Sequence, residues 1–81
     1  MINEVQETLS RAEHAHNRYG AFASTHEAMG VILEEWGELQ SAIQSNKLGS
    51  VREECLDIAA VCLRLAHACE HDEALIERSR K

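Results

Sequence analysis

Two acidic pairs in this sequence share one spacing. Glu35 and Glu38 are three residues apart, as are Glu54 and Asp57, and on a helix that separation puts both acids of a pair on one side. Glu34 adjoins the first pair in the stretch ILEEWGELQ (Ile32 to Gln40), and no Lys or Arg occurs between Arg18 and Lys47 to neutralise it. Like charges at this spacing destabilise a helix by about 0.2–0.5 kcal/mol per pair, so the pattern asks for a cation from elsewhere. Oxygen-only donor sets suit the hard ions Mg²⁺ and Mn²⁺, and an ion held this way can bridge to an anionic small substrate.

Helices must position these acids, and the sequence marks where they begin and end. A first helix is expected from about Asn3 to His16, with Ile2, Val5, Leu9 and Ala12 at spacings of three and four, ending near Tyr19-Gly20. Ser24-Thr25-His26-Glu27 fits a capping box, so a second helix should run from Thr25 to about Ser45. Asn46 to Gly49 reads as a polar turn, and Ser50-Val51-Arg52-Glu53 as another capping box opening a third helix that continues to Glu70. At His71-Asp72 either the helix continues or Asp72 caps a short last helix to about Ser79.

Projection at 100° per residue places Ala28, Ile32, Trp36, Leu39 and Ile43 within an arc of about 80°, with Glu35 and Glu38 at its edge. On the third helix Glu54 and Asp57 share an arc of about 100° with Ile58, Val61 and Leu65. Buried carboxylates need a cation, a metal or a proton. The two pairs can therefore meet across a helix pair as an oxygen site. The alternative is that Glu34 and Glu35 face solvent while Glu54 pairs with a basic side chain such as Arg64. Arg64, on the same stripe, can salt-bridge Asp57 or face a bound phosphate.

With 81 residues, no Pro, four Gly, three aromatics and many helix formers, the chain reads as one all-α domain spanning residues 1–81. The expected architecture is an antiparallel bundle of three to four helices, and so short a chain builds a modest core, so completion by oligomerisation is expected. The formal charge of −6 argues against binding a nucleic-acid polymer or an acidic membrane surface. No apolar run approaches the roughly 20 residues of a membrane span, and MINEVQETLS lacks signal-peptide features, so a cytoplasmic setting is expected. Cys55, Cys62 and Cys69 line one helical stripe and are expected as small buried hydrophobes.

Glu34-Glu35-Trp36-Gly37-Glu38, followed after fifteen residues by Glu54-Cys55-Leu56-Asp57, resembles the EExxE…ExxD pattern of the MazG-like, all-α nucleoside triphosphate pyrophosphohydrolases. The lead-in YGAFASTHEAMGVILEE is also similar, and the likeness covers roughly Tyr19 to Ala68. The resemblance implies hydrolysis of a (deoxy)nucleoside triphosphate to the monophosphate and pyrophosphate. It implies Mg²⁺, with Mn²⁺ as a substitute, held by Glu35, Glu38, Glu54 and Asp57, and a water-orienting role for Glu34. It also implies a homodimer or homotetramer whose helices shape the site jointly. Members often carry phosphate-touching Lys or Asn residues on a further helix; here Lys47, Arg52 and Arg64, or Arg78, Arg80 and Lys81, are the candidates. The rival expectation is a non-catalytic helical oligomerisation or interaction module whose acids make structural ion pairs.

Other residues fit a packing reading first. Trp36 is expected in the core or a subunit interface, with base stacking as its substrate-binding alternative, and Tyr19 and Phe22 offer the same choice. Gly30 and Gly37, seven apart, suggest close approach of a helix or substrate. Glu13 and His16 make one ExxH, short of the two that di-iron bundles use, and His67 with His71 lacks a third zinc ligand.

Overall fold

Residues 1–80 are described by a computed structural model, and Lys81 lies outside the described residues. Within them four helices follow in order: α1 (Ile2–Tyr19), α2 (Thr25–Gln44), α3 (Leu48–His71) and α4 (Glu73–Ser79). No strand occurs among the described residues, and none of these helices is long and apolar enough to cross a membrane. The all-α expectation stands on these elements.

α3 is the central element, packing against α1, α2 and α4. The side-chain pairings give the directions. Glu7 meets Arg52, Arg11 meets Asp57 and Arg64 meets the carbonyl of Gly20, so α1 runs parallel to α3. α2 runs antiparallel to α3, since Glu38 faces Glu54 while Ala28 packs with Val61. The buried core is small-grained, with Ala12, Ala28, Ala42, Ala60 and Ala68 among its members and Phe22, Leu39, Leu56, Val61 and Leu75 as the larger ones. Alanines at the contacts let the helix axes approach closely but remove little apolar surface from water each.

Local chemistry accounts for three of the boundaries. The Ser24 hydroxyl accepts from the Glu27 amide at 3.1 Å, the first half of a capping box, while the Glu27 carboxylate reaches one residue past the N-cap and accepts from the Ala23 amide at 3.2 Å. Asp72 is extended and its carboxylate accepts from the Leu75 amide at 3.2 Å, so the break is real and α4 starts behind its own cap. Gly20 closes α1 with φ +75° and ψ −167°, a conformation essentially reserved for glycine.

The third helix begins earlier than expected, at Leu48, and Ser50 lies inside it with no capping role. The turn before it is a Schellman motif. Asn46 takes φ +54°, its amide donates to the Ile43 carbonyl at 3.0 Å, and the Lys47 amide donates to the Ala42 carbonyl at 3.3 Å. Asn at this position does what glycine more often does, and the chain re-enters a helix at once.

Burial corrects four further expectations. On α2 the inward side is Ala28, Val31, Ile32, Glu35, Leu39 and Ala42, a face rotated by about 50° from the predicted arc. Glu35 thereby moves from the edge to the middle, and Trp36 and Ile43 turn outward with Met29 and Leu33. A second apolar stripe, on the outer side of α2, shifts the apolar arc of the helix away from the buried face. Ile2, Val5 and Leu9 of α1 are likewise exposed, because α1 meets α3 through Ala12, Arg11 and Glu7 instead. Cys55, Cys62 and Cys69 are exposed rather than buried, since α3 turns Leu56, Ala60, Val61 and Ala68 inward. Nothing among the described residues lies within 4 Å of where a side chain would begin at Gly30 or Gly37, so none of them approaches closely there.

Candidate metal centre

Glu35 and Glu38 project from α2 towards α3, where Glu54 projects back. One oxygen from each of the three carboxylates lies within 4.8 Å of the other two. The i,i+3 spacing stacks Glu35 and Glu38 on one side of α2, and the antiparallel packing brings Glu54 opposite both. Glu35 and Glu54 are half-buried, and each keeps one buried oxygen, Oε2, without a hydrogen-bond partner.

Uncompensated carboxylates in this position hold protons more tightly than usual. Loss of water, then a proton shared with Glu38 and the nearby charges of Glu38, Glu35 and Asp57, push the Glu54 carboxyl up to about 7. The Glu35 carboxyl is raised as well, first by desolvation and then by Glu38 and Asp57. No Lys or Arg pairs with these three acids in the ion pairs of the described residues. An oxygen-only set with two orphaned buried oxygens fits Mg²⁺ or Mn²⁺, which take carboxylate oxygens and complete their shell with water.

Asp57, the fourth expected ligand, is held differently. Arg11 of α1 donates from Nη1 to Asp57 Oδ1 at 2.8 Å and to the Glu53 carbonyl at 3.0 Å, and from Nη2 to Glu53 Oε2 at 3.0 Å. Asp57 does not share the mutual approach within 4.8 Å that joins Glu35, Glu38 and Glu54. Nothing in the acidic motif pointed to Arg11. Its partners are 42 and 46 residues away, and a lone Arg on an amphipathic helix carries no spacing signal.

A cleft of about 740 Å³ opens beside the carboxylates between α1 and α2, over α3. Glu34, Glu35 and Asp57 line it together with Arg11, Arg64, His14 and Tyr19. Glu34 is exposed at its wall, suitably placed to meet water. Arg64 does not pair with Asp57 or Glu54. Its Nη2 donates to the Gly20 carbonyl at 3.0 Å and its guanidinium lies 4.3 Å from the centre of the Phe22 ring. Arg64 thus braces the α1–α2 loop while its side chain lines the cleft. Phe22 is buried in the core and is a packing residue, whereas Tyr19 is 72% exposed at the cleft with Arg18 over its ring.

The remaining candidates among the described residues lie outside this cleft, and Lys81 is not one of those residues. Lys47 precedes α3 on the exposed surface, and Trp36, 47% exposed, faces away on the outer stripe of α2. Arg52 bridges Glu7 and Glu53, Arg78 donates to the Ala23 carbonyl, and Arg80 pairs with Glu77. A scan against protein-family models gives no match for this chain, and searches of curated proteins and of solved structures give none either.

Proposed function

We propose that the protein is a Mg²⁺-dependent nucleoside triphosphate pyrophosphohydrolase of the MazG-like kind. It would cleave between the α- and β-phosphates to release the nucleoside monophosphate and pyrophosphate, as part of nucleotide-pool housekeeping in the cytoplasm. The observation that carries this reading is the convergence of Glu35, Glu38 and Glu54 oxygens beside a cleft, with two of those oxygens buried and unpartnered.

Each residue has work to do in such a reaction. Glu35, Glu38 and Glu54 would hold the ion, and Asp57, whose charge acts on both Glu35 and Glu54, would join them once freed from Arg11. Bound Mg²⁺ supplies charge neutralisation for the phosphates and lowers the pKa of an attacking water. Glu34 at the cleft wall would accept a hydrogen bond from the attacking water and orient it. Arg64 offers its guanidinium to phosphate oxygens, a planar fork that matches their geometry. The exposed ring of Tyr19 offers a face for a nucleobase.

The same reading includes a homodimer or homotetramer. Met29, Leu33, Trp36 and Ile43 recur along the outer side of α2 and are all exposed, so a second copy can cover them and supply the apolar burial that one small core lacks. In that arrangement Trp36 packs between chains.

A second reading is a non-catalytic helical interaction module, favoured by the ion pair that already occupies Asp57. Product analysis separates the two. The purified protein is incubated with Mg²⁺ and a panel of dNTPs and NTPs, beside Glu38→Ala and Asp57→Ala controls. Monophosphate and pyrophosphate that vanish in both variants support the enzyme. An absence of turnover with Mg²⁺ and with Mn²⁺ leaves the module.

A further inference from the structure

Resting on the metal-dependent reading above, we infer that Arg11 is an exchangeable counter-ion: it holds Asp57 in the free protein and passes to a phosphate oxygen of the bound substrate, releasing Asp57 to the metal. Three observations lead there. Arg11 sits on the acid that the two-pair pattern assigns to the metal, with Nη1 2.8 Å from Asp57 Oδ1. Asp57 is correspondingly left out of the group formed by Glu35, Glu38 and Glu54. Arg11 also lines the cleft, where among the described residues it and Arg64 are the two Arg or Lys side chains present.

The exchange is local. The Glu53 carboxylate and carbonyl still accept from the guanidinium when Asp57 leaves, so Arg11 stays where it is and loses only one acceptor. A phosphate oxygen replaces that acceptor, and guanidinium forks bind phosphate with charge-assisted bonds. Without phosphate the swap is unfavourable, because a cation already neutralises Asp57 and a metal must compete with it. Metal and polyphosphate binding are therefore coupled through one side chain, and each strengthens the other.

The coupling has a signature that a structural brace lacks, since removing Arg11 shifts the two affinities in opposite directions. Binding to the full chain is measured by isothermal titration, first with Mn²⁺ alone and then with Mg·pyrophosphate in saturating Mg²⁺, for the wild type, Arg11→Gln and Arg11→Lys. Arg11→Gln is expected to bind Mn²⁺ roughly tenfold more tightly and Mg·pyrophosphate roughly tenfold more weakly, the scale of one charge-assisted hydrogen bond. Arg11→Lys keeps the charge without the fork, so its Mn²⁺ affinity stays at least at the wild-type level while Mg·pyrophosphate weakens. If far-UV circular dichroism finds Arg11→Gln unfolded, Arg11→Lys decides. Both affinities falling together, or neither moving, overturns the exchange and leaves the metal reading standing. A wild type that binds no Mn²⁺ overturns both.

Discussion

Glu35 and Glu54 face each other across the α2–α3 interface with carboxylate oxygens within 4.8 Å, and each keeps a buried oxygen that no group among the described residues satisfies. Two acids placed so close in a partly dry interface oppose folding unless a proton or a cation joins them.

The first consequence concerns pH. Desolvation and the neighbouring acids push the Glu54 carboxyl up to about 7 from 4.5 for an ordinary glutamate, so between those values the folded state binds more protons than the unfolded one. Stability of the metal-free protein should rise as pH falls through this window and decline as pH rises through the folded value. Glu35, also raised, acts in the same direction, while the lowered Glu4 and Glu7 act oppositely only where acid begins to protonate them in the unfolded chain, at lower pH. Thermal melts in EDTA across this range should show a Tm that increases on acidification. A flat or reversed profile would count against the paired burial of these acids.

Glu54→Gln removes the buried charge and a proposed ligand together. In EDTA near neutral pH its Tm should exceed that of the wild type. Saturating Mg²⁺ should raise the wild-type Tm by mass action, equivalent to about 2.7 kcal/mol at 100 times Kd, and leave Glu54→Gln unmoved. Differential scanning fluorimetry at fixed protein concentration reads both effects.

Catalysis should depend on the same carboxylates. Glu38→Ala is expected to lower kcat/KM by roughly 100-fold or more, as the loss of a ligand to an essential ion does. Glu34→Gln should lower kcat while sparing Mn²⁺ affinity, because Glu34 lines the cleft without joining the three-carboxylate group. Steady-state kinetics paired with Mn²⁺ titration tests the division of labour.

The outer stripe of α2 makes a prediction about assembly. Leu33→Glu and Trp36→Glu, each at an exposed position, should convert the oligomer to monomer with little loss of helix content. Light scattering after size exclusion would sink this idea if the wild type were itself monomeric or the variants kept its mass.

Helix boundaries can be tested by two serines. Ser24→Ala removes the hydroxyl that accepts from the Glu27 amide and should cost about 1 kcal/mol. Ser50→Ala should cost nothing of that size, since Ser50 lies within α3 and is not its cap. Urea titrations of the two variants, read by circular dichroism, make the comparison directly.

What could be read from the residues followed from how local its cause was. The Ser24 cap, the Asp72 cap and the shared side of Glu35 and Glu38 depend on a spacing of three residues, which a helix translates directly into geometry, whereas Glu54 reaches them only through the antiparallel packing of α3 on α2. The start of α3 was misplaced because Asn46 ends α2 in a left-handed conformation more often filled by glycine, while Ser50 imitated a cap. The rotation of α2 was missed because two apolar stripes share that helix, and periodicity alone does not say which one meets α3. Arg11 was invisible since only the parallel packing of α1 on α3 brings it to Asp57.

That packing of α1 has a further consequence. Glu7, Arg11, Arg52 and Glu53 form a ladder of ion pairs between α1 and α3, whereas Ile2, Val5 and Leu9 contribute little because they face outward. Charge pairs that remain partly solvated weaken as dissolved salt shortens the reach of electrostatic forces to about 8 Å and below, while apolar contacts do not. Ionic strength thus acts selectively on one wall of the cleft. As salt increases, amides of α1 should exchange their hydrogens sooner than those of α2 and α3, and the molecule should breathe along the edge where Arg11 meets Asp57.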